Sequence, residues 1–185
     1  MLETKRYLTA EEANKLINSL KGSQNKMLQY IVPMLILTGA RKQEDLKAKW
    51  EDFNFERRLW KIPISKSGKA RHVPMSDGVV QLLTHMPHVR LYVFANPKTL
   101  LPYASIYNSC DTARKSVCLK DVRMHDLRHS FASFLVNSGR GSNEVQRILG
   151  HTQIKTTQTY AHLSQESLLA AANEVSNTVP ILLPH

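Results

Sequence analysis

The chain has 185 residues, 42% of them hydrophobic, with 25 lysines and arginines against 15 acids, a net charge of +10. It is long enough for one domain with a sizeable core, no apolar run nears the roughly 20 residues of a membrane span, and the N-terminus lacks the apolar core of a secretion signal. These features argue against a membrane or secreted protein and for a cytoplasmic one, while the positive excess favours a polyanion (nucleic acid or an acidic membrane surface), with ordinary surface charge as the plain alternative.

In chain order, Thr9 with Glu12 three residues on predicts a capping box and a helix to about Leu20, with Leu16, Ile17 and Leu20 on its apolar side. Lys21-Gly-Ser breaks it. Ser23 is expected to cap a second, buried helix running to about Thr38 through Met27, Leu28, Ile31, Leu35 and Ile36, with Pro33 as a place for a kink. Thr38-Gly-Ala-Arg41 then reads as a tight glycine turn into a short helix headed by Arg41. A cation there opposes the helix dipole, so either an anion is held close by or Arg41 pairs with Glu44 or Asp45 at the surface.

Between Trp50 and Met75 the apolar period falls to two. Leu59, Trp60, Ile62 and Ile64 predict a strand, Ser65 to Lys69 a turn, and Arg71 to Met75 the returning strand, with Pro63 and Pro74 confining both to sheet edges or ends. Lys66, Lys69 and Arg71 make the hairpin tip basic, which is either a solvated surface or a finger for a DNA groove. Ser76 opens a helix to about Thr84, Leu91 to Phe94 predicts a short extended segment, and Asn96-Pro-Lys a turn. A helix from Ser105 to Val117 is expected to bury Ile106, Cys110, Ala113 and Val117 and to expose Arg114 and Lys115. Cys110 and Cys118 would lie about 12 Å apart along that helix, beyond disulfide reach, and are read as reduced core residues.

Three helices follow. The first starts near His125, with Leu127, Phe131, Phe134 and Leu135 as its core stripe and His125 and Arg128 on a flank toward a cleft. A short one with Val145, Ile148 and Leu149 ends at Gly150, which puts His151 in the turn beyond. The last is capped by Ser164 and carries Leu168, Leu169, Ala172 and Val175. Between them, Thr152 to Tyr160 is rich in β-branched threonine and is expected to fold productively against a partner or DNA. The expected class is mainly α with a small antiparallel β-sheet (α+β).

Several of these polar residues suit a phosphodiester. Tyr160 can attack phosphorus if it loses its proton in a cationic setting, Arg41 and Arg128 can clamp the non-bridging oxygens, His125 and His151 can donate to the same group or shuttle a proton, and Lys66 can protonate the leaving oxygen. Singly each has a bland alternative: a tyrosine ending a helix packs, and a histidine after Gly150 caps. His125 and His129 also have zinc-helix spacing, but Asp-Leu-Arg between them lacks the glutamate base and sets a cation among the ligands.

Thr38-Gly-Ala-Arg41 followed by Glu44, Lys66 in Ser-Lys-Ser-Gly-Lys-Ala-Arg, His125-Asp-Leu-Arg128-His, Leu149-Gly-His151 and Tyr160 together resemble, in order and spacing, the catalytic domain of tyrosine recombinases, the phage integrases. The resemblance covers about residues 7 to 172. It implies that fold, and attack by Tyr160 on one strand of duplex DNA to leave a 3′-phosphotyrosyl link and a free 5′-hydroxyl, followed by rejoining to a new 5′-hydroxyl. It implies a site of Arg41, Lys66, His125, Arg128, His151 and Tyr160, and no metal, nucleotide or other cofactor. It further implies a homo-oligomer (tetramer) on DNA, a monomer as the isolated domain, no membrane, accessory DNA-bending proteins, and a nucleoid-associated place in a prokaryotic host. Residues 1–175 would be the catalytic domain and 176–185 a tail that docks on a neighbouring protomer or on its own domain. The family usually carries an N-terminal DNA-clamping domain, which is expected to be absent from this chain, and weak DNA binding by the chain alone is expected with it. Type IB topoisomerase-like relaxation and a non-catalytic DNA-binding regulator of the same fold are the alternatives. Ala40, Lys42, Gln43 and Asp45 stand where the family more often has bulkier apolar, arginine or small residues, which bears on the packing around Arg41.

Overall fold

Nine of the eleven residues from Leu28 to Thr38 are buried, and a helix apolar on every side must be surrounded by protein. The rest of the fold does this. The structure, a computed structural model, describes residues 6–63, 70–88, 90–150 and 165–180. Among these residues the helices are α1 (Ala10–Ser19), α2 (Leu28–Thr38), α3 (Lys42–Leu46), α4 (Asp77–Thr84), α5 (Tyr107–Ser116), α6 (Met124–Asn137), α7 (Ser142–Leu149) and α8 (Gln165–Thr178), and the strands β1 (Phe53–Asn54), β2 (Leu59–Ile62) and β3 (Arg71–Pro74). α2 is the central helix, packed by α1, α3, α4, α6 and α8. No helix among the described residues is long and apolar enough to cross a membrane.

The first helix starts as expected. The Thr9 hydroxyl accepts from the Glu12 amide at 3.2 Å and the Glu12 carboxylate accepts from the Thr9 amide at 2.9 Å, so both ends of the capping box are made. The second starts later than expected, at Leu28 with Met27 before it. Ser23 does not cap it, because its hydroxyl accepts from the Asn25 amide and the Asn25 side chain accepts from Met27, which spends both polar residues on consecutive turns.

The sheet is antiparallel in the order β1-β2-β3, with Leu59 opposite Pro74 and Ile62 opposite Arg71. β1 is an addition to the expected hairpin, pairing Phe53 with Trp60, and Pro74 lies at the end of an edge strand where its missing N–H costs no ladder bond. The expected extended segment at Leu91 to Phe94 is reduced to a single bridge between Tyr92 and Lys49. Ile64 and the turn with Lys66 and Lys69 lie outside the described residues.

Two expectations about the fifth helix are corrected. It ends at Ser116, so Cys118 is not on it: the Cys118 amide bonds the Lys115 carbonyl, the Leu119 amide bonds the Arg114 carbonyl, and Cys118 sits at φ +61° as the left-handed residue of that stop. Cys118 is exposed, whereas Cys110 is buried, and both are free thiols. Arg114 is not a surface residue either. It folds onto Asp111 and donates to the carbonyls of Lys120 and Val122, so it closes the loop after the helix.

In α6, Leu127, Phe131, Phe134 and Leu135 are buried as expected, and the Asp126 carboxylate accepts from the Arg123 amide at the helix start. Ser130 reaches back to the N-terminal segment, accepting from the Leu8 amide at 2.8 Å. α7 buries Val145, Ile148 and Leu149 and stops at Gly150 in the left-handed conformation. α8 lies across α6, α4, β3, α2 and α7, burying Ala171, Ala172 and Val175, and Val179 just beyond it is buried too.

Candidate active site

α2 stops because Gly39 adopts φ +61°, and this glycine could be nothing larger: an added Cβ would lie 2.5 Å from Phe131 Cδ1 and 2.7 Å from Leu149 Cδ2. The turn is thereby pressed against α6 and α7, and it delivers Arg41 to the N-cap of α3. Glu44, one turn on, accepts from the Arg41 amide at 2.8 Å through Oε2 and from Arg41 Nη1 at 2.9 Å through Oε1.

A second guanidinium shares that carboxylate. Arg71, at the turn end of β3, donates Nη1 to Glu44 Oε1 at 2.7 Å and Nη2 to Oε2 at 2.8 Å, a two-pronged pair. Its side chain is 12% exposed and Glu44's 8%, whereas Arg41's is 41%. The Arg71 stem runs over Gly150, where an added Cβ would sit 2.3 Å from Arg71 Cδ, so the glycine that ends α7 is also the one that lets Arg71 pass.

A third guanidinium comes from α6. Arg128 is buried and donates Nη1 to the Gly39 carbonyl at 2.5 Å and Nη2 to the Leu149 carbonyl at 2.6 Å. It therefore clips the turn before Arg41 to the end of α7. Burial, then the charges of Arg71 and Arg41, pull Arg128 down to about 10 against the opposing pull of Glu44, which still leaves it a cation at neutral pH. Burial pushes Glu44 up, but the Arg71 hydrogen bonds, the Arg41 amide and the Arg71 charge outweigh it and hold the carboxyl below its usual range. Two cations thus hold one anion, with a third, Arg128, near enough to feel all three charges. The group carries an excess of positive charge in a sheltered place, which is the electrostatic requirement of an oxyanion site.

Of the six residues predicted for the site, the structure brings Arg41 and Arg128 together. His125 lies one turn before Arg128 on α6, exposed, with its ring edge-on to His129 at 4.8 Å between centroids. Lys66, His151 and Tyr160 lie outside the described residues, as does Ser164. Arg128, expected on a flank toward a cleft, is buried with its fork drawn to two main-chain carbonyls. Two sequence expectations are corrected here. Arg71 is not part of a solvated hairpin tip but folds inward onto Glu44. Asp45 forms no ion pair with Arg41: it is fully buried, and neither carboxylate oxygen has a partner. Burial, with the charge of Glu44 adding to it, raises the Asp45 carboxyl well above its usual range. The residue that sequence reasoning passed over is Arg71, and its place on the same face of β3 as apolar Val73, two residues on, was the available signal. Among the described residues, no three His, Cys, Asp or Glu side chains gather as potential metal ligands.

The phage integrase family profile matches residues 6–167 of this chain. The chain belongs to the phage integrase family. It is 32% identical over 178 residues to the tyrosine recombinase XerA of Saccharolobus solfataricus, spanning 91% of this chain and 58% of that protein. It is 26% identical over 173 residues to a tyrosine recombinase of Thermosipho africanus, spanning 91% and 61%. The chain thus covers about six-tenths of the length of these curated relatives. Among solved structures it is similar to the catalytic domain of bacteriophage HP1 integrase, with a TM-score of 0.64 and 26% identity over 94% of this chain and 98% of that one. It is also similar to the XerH site-specific recombinase bound to its difH substrate, with a TM-score of 0.64 and 25% identity over 93% and 55%. The family and the α+β class expected from the motifs are both as found.

Proposed function

We propose that this chain is the strand-breaking and rejoining part of a site-specific tyrosine recombinase acting on duplex DNA. The observation that carries it is the grouping of three arginines at the family motifs, Arg41 and Arg71 on the largely buried Glu44 carboxylate and Arg128 on the main-chain carbonyls of the adjoining turns, which leaves positive charge waiting for an oxyanion. In this reading a backbone phosphate supplies that anion. The exposed Arg41 guanidinium reaches its non-bridging oxygens first, and Arg128 contributes charge from behind while fixing the two turns. His125 and His151 donate to the same oxygens. The Tyr160 oxygen, made more acidic by the surrounding cations, passes its proton to a neutral histidine ring of the site and forms a bond to phosphorus as the bond to the 5′ oxygen breaks, and Lys66 gives that oxygen its proton. One phosphoester replaces another, so no further reactant is consumed, and the reverse sequence with a new 5′-hydroxyl rejoins the strand.

Duplex DNA as partner is supported by the likeness to XerH on its DNA substrate and by the net charge of +10. The reading extends to residues 1–175 as the catalytic domain, to a homo-tetramer on DNA formed from free monomers, and to a place at the nucleoid. The test is a nicked suicide duplex that traps the covalent intermediate. The wild-type chain should become joined to a DNA 3′ end through Tyr160, Tyr160→Phe should give no adduct while binding DNA equally well, and Arg41→Ala should slow trapping by about a hundredfold or more. Binding without any Tyr160-dependent adduct overturns the catalytic reading.

A further inference from the structure

Glu44 is a buried carboxylate with two arginine partners of different kinds. Arg71 holds both oxygens in a fork and is almost as buried as Glu44 itself, while Arg41 holds one oxygen and is the most exposed of the three. A buried carboxylate stripped of every cation is strongly disfavoured, so a sole partner is not free to leave. Glu44 with Arg71 in place keeps a complete two-bond pair even when Arg41 departs. Resting on the function proposed above, we propose that Arg71 is a positioning residue that releases Arg41: by holding Glu44 alone, it lets Arg41 swing to the DNA phosphate without leaving an unpaired carboxylate behind.

The placement of Arg71 suits that task. It sits opposite Ile62 at the turn end of the β2–β3 hairpin, five residues after Lys66, and its stem crosses Gly150, the residue before His151. Three segments with predicted site residues therefore meet at one side chain. Lysine would be a poor substitute, because a point charge cannot fork onto both carboxylate oxygens.

The experiment uses the full chain and two readouts. The first is labelling of Arg41 by phenylglyoxal in the DNA-free protein, followed by mass spectrometry. Arg71→Gln should slow labelling of Arg41 about tenfold by leaving Glu44 dependent on it, Arg71→Lys should fall between the two, and Glu44→Gln with Arg71→Gln should restore it. The second is covalent trapping on the nicked duplex. At saturating DNA, Arg71→Gln should trap about a hundredfold more slowly than wild type with the half-saturating DNA concentration nearly unchanged, and the double variant should recover at least about tenfold. Melting curves for each variant give the folded fraction, and rates are compared per folded molecule. The inference is overturned if Arg41 labels equally in wild type and Arg71→Gln, or if the double variant is no faster than the single one. Absence of any wild-type adduct would instead sink the proposed function, and the labelling result would still decide the exchange of partners.

Discussion

Two adjacent carboxylates on α3 meet opposite fates. Glu44 is held by two guanidiniums and a main-chain amide, and its depressed pKa means that it adds stability above the unfolded value of about 4.3, which is lost as pH falls through the lower folded value. Asp45 is fully buried with no hydrogen-bond partner among the described residues, and burial, with the charge of Glu44 adding to it, raises its folded pKa. The folded chain keeps a proton that the unfolded chain gives up above about pH 3.9, and stability from this residue therefore declines as pH rises until the folded value is passed. Asp45→Asn should remove that decline. Urea denaturation should find the variant more stable than wild type by about 1–3 kcal/mol at pH 8, with a smaller gain at pH 5. An equal effect at both pH values would mean that Asp45 does not titrate as argued. At this scale the sequence was readable only in part. Arg41 and Glu44 are three apart on one short helix, and their pairing was one of the two expected alternatives. That Asp45 points inward and Glu44 toward two cations depends on which side of a five-residue helix faces α2, and so brief a segment carries too little periodicity to show it.

Element boundaries follow from capping chemistry, and where the caps are local the sequence predicts them. Thr9 with Glu12, Ser76 before α4, and Gly150 after α7 all act where expected. The end of α5 falls within a residue of the expected one, but Cys118 lies beyond it because a cysteine occupies the left-handed position where glycine is the usual marker. Gly39 does two jobs that no other residue can combine, a left-handed stop and direct contact with Phe131 and Leu149. Gly39→Ala should therefore cost about 2–4 kcal/mol, from backbone strain plus overpacking, in a chemical denaturation experiment. It should also move the Gly39 carbonyl off Arg128. A loss below about 1 kcal/mol would show that the turn can relax away from α6 and that the proximity of the three arginines does not depend on it.

Across the whole molecule, α8 is a structural member and not an appendage. Its Asn173 side chain accepts from the Asp77 amide at the start of α4, its Ser176 hydroxyl bonds that of Ser76, and its Ser167 hydroxyl bonds Glu144 on α7. Val175, buried against this body, should not accept a charge: Val175→Asp should lower stability by about 3 kcal/mol or more and reduce the cooperativity of thermal unfolding, whereas the exposed Glu166→Ala should change stability by less than about 0.5 kcal/mol. Unchanged melting of Val175→Asp would mean that α8 detaches without loss. The sequence by itself determined the family, the α+β class and most of the helices, because period, caps and motif spacing are local properties written within a turn or two of each residue. Only the tertiary structure decided where the long cationic side chains point. Arg71 finds Glu44 across 27 residues and Arg128 finds the Gly39 carbonyl across 89, and a guanidinium on a flexible stem takes whichever acceptor the packing of distant elements brings within reach.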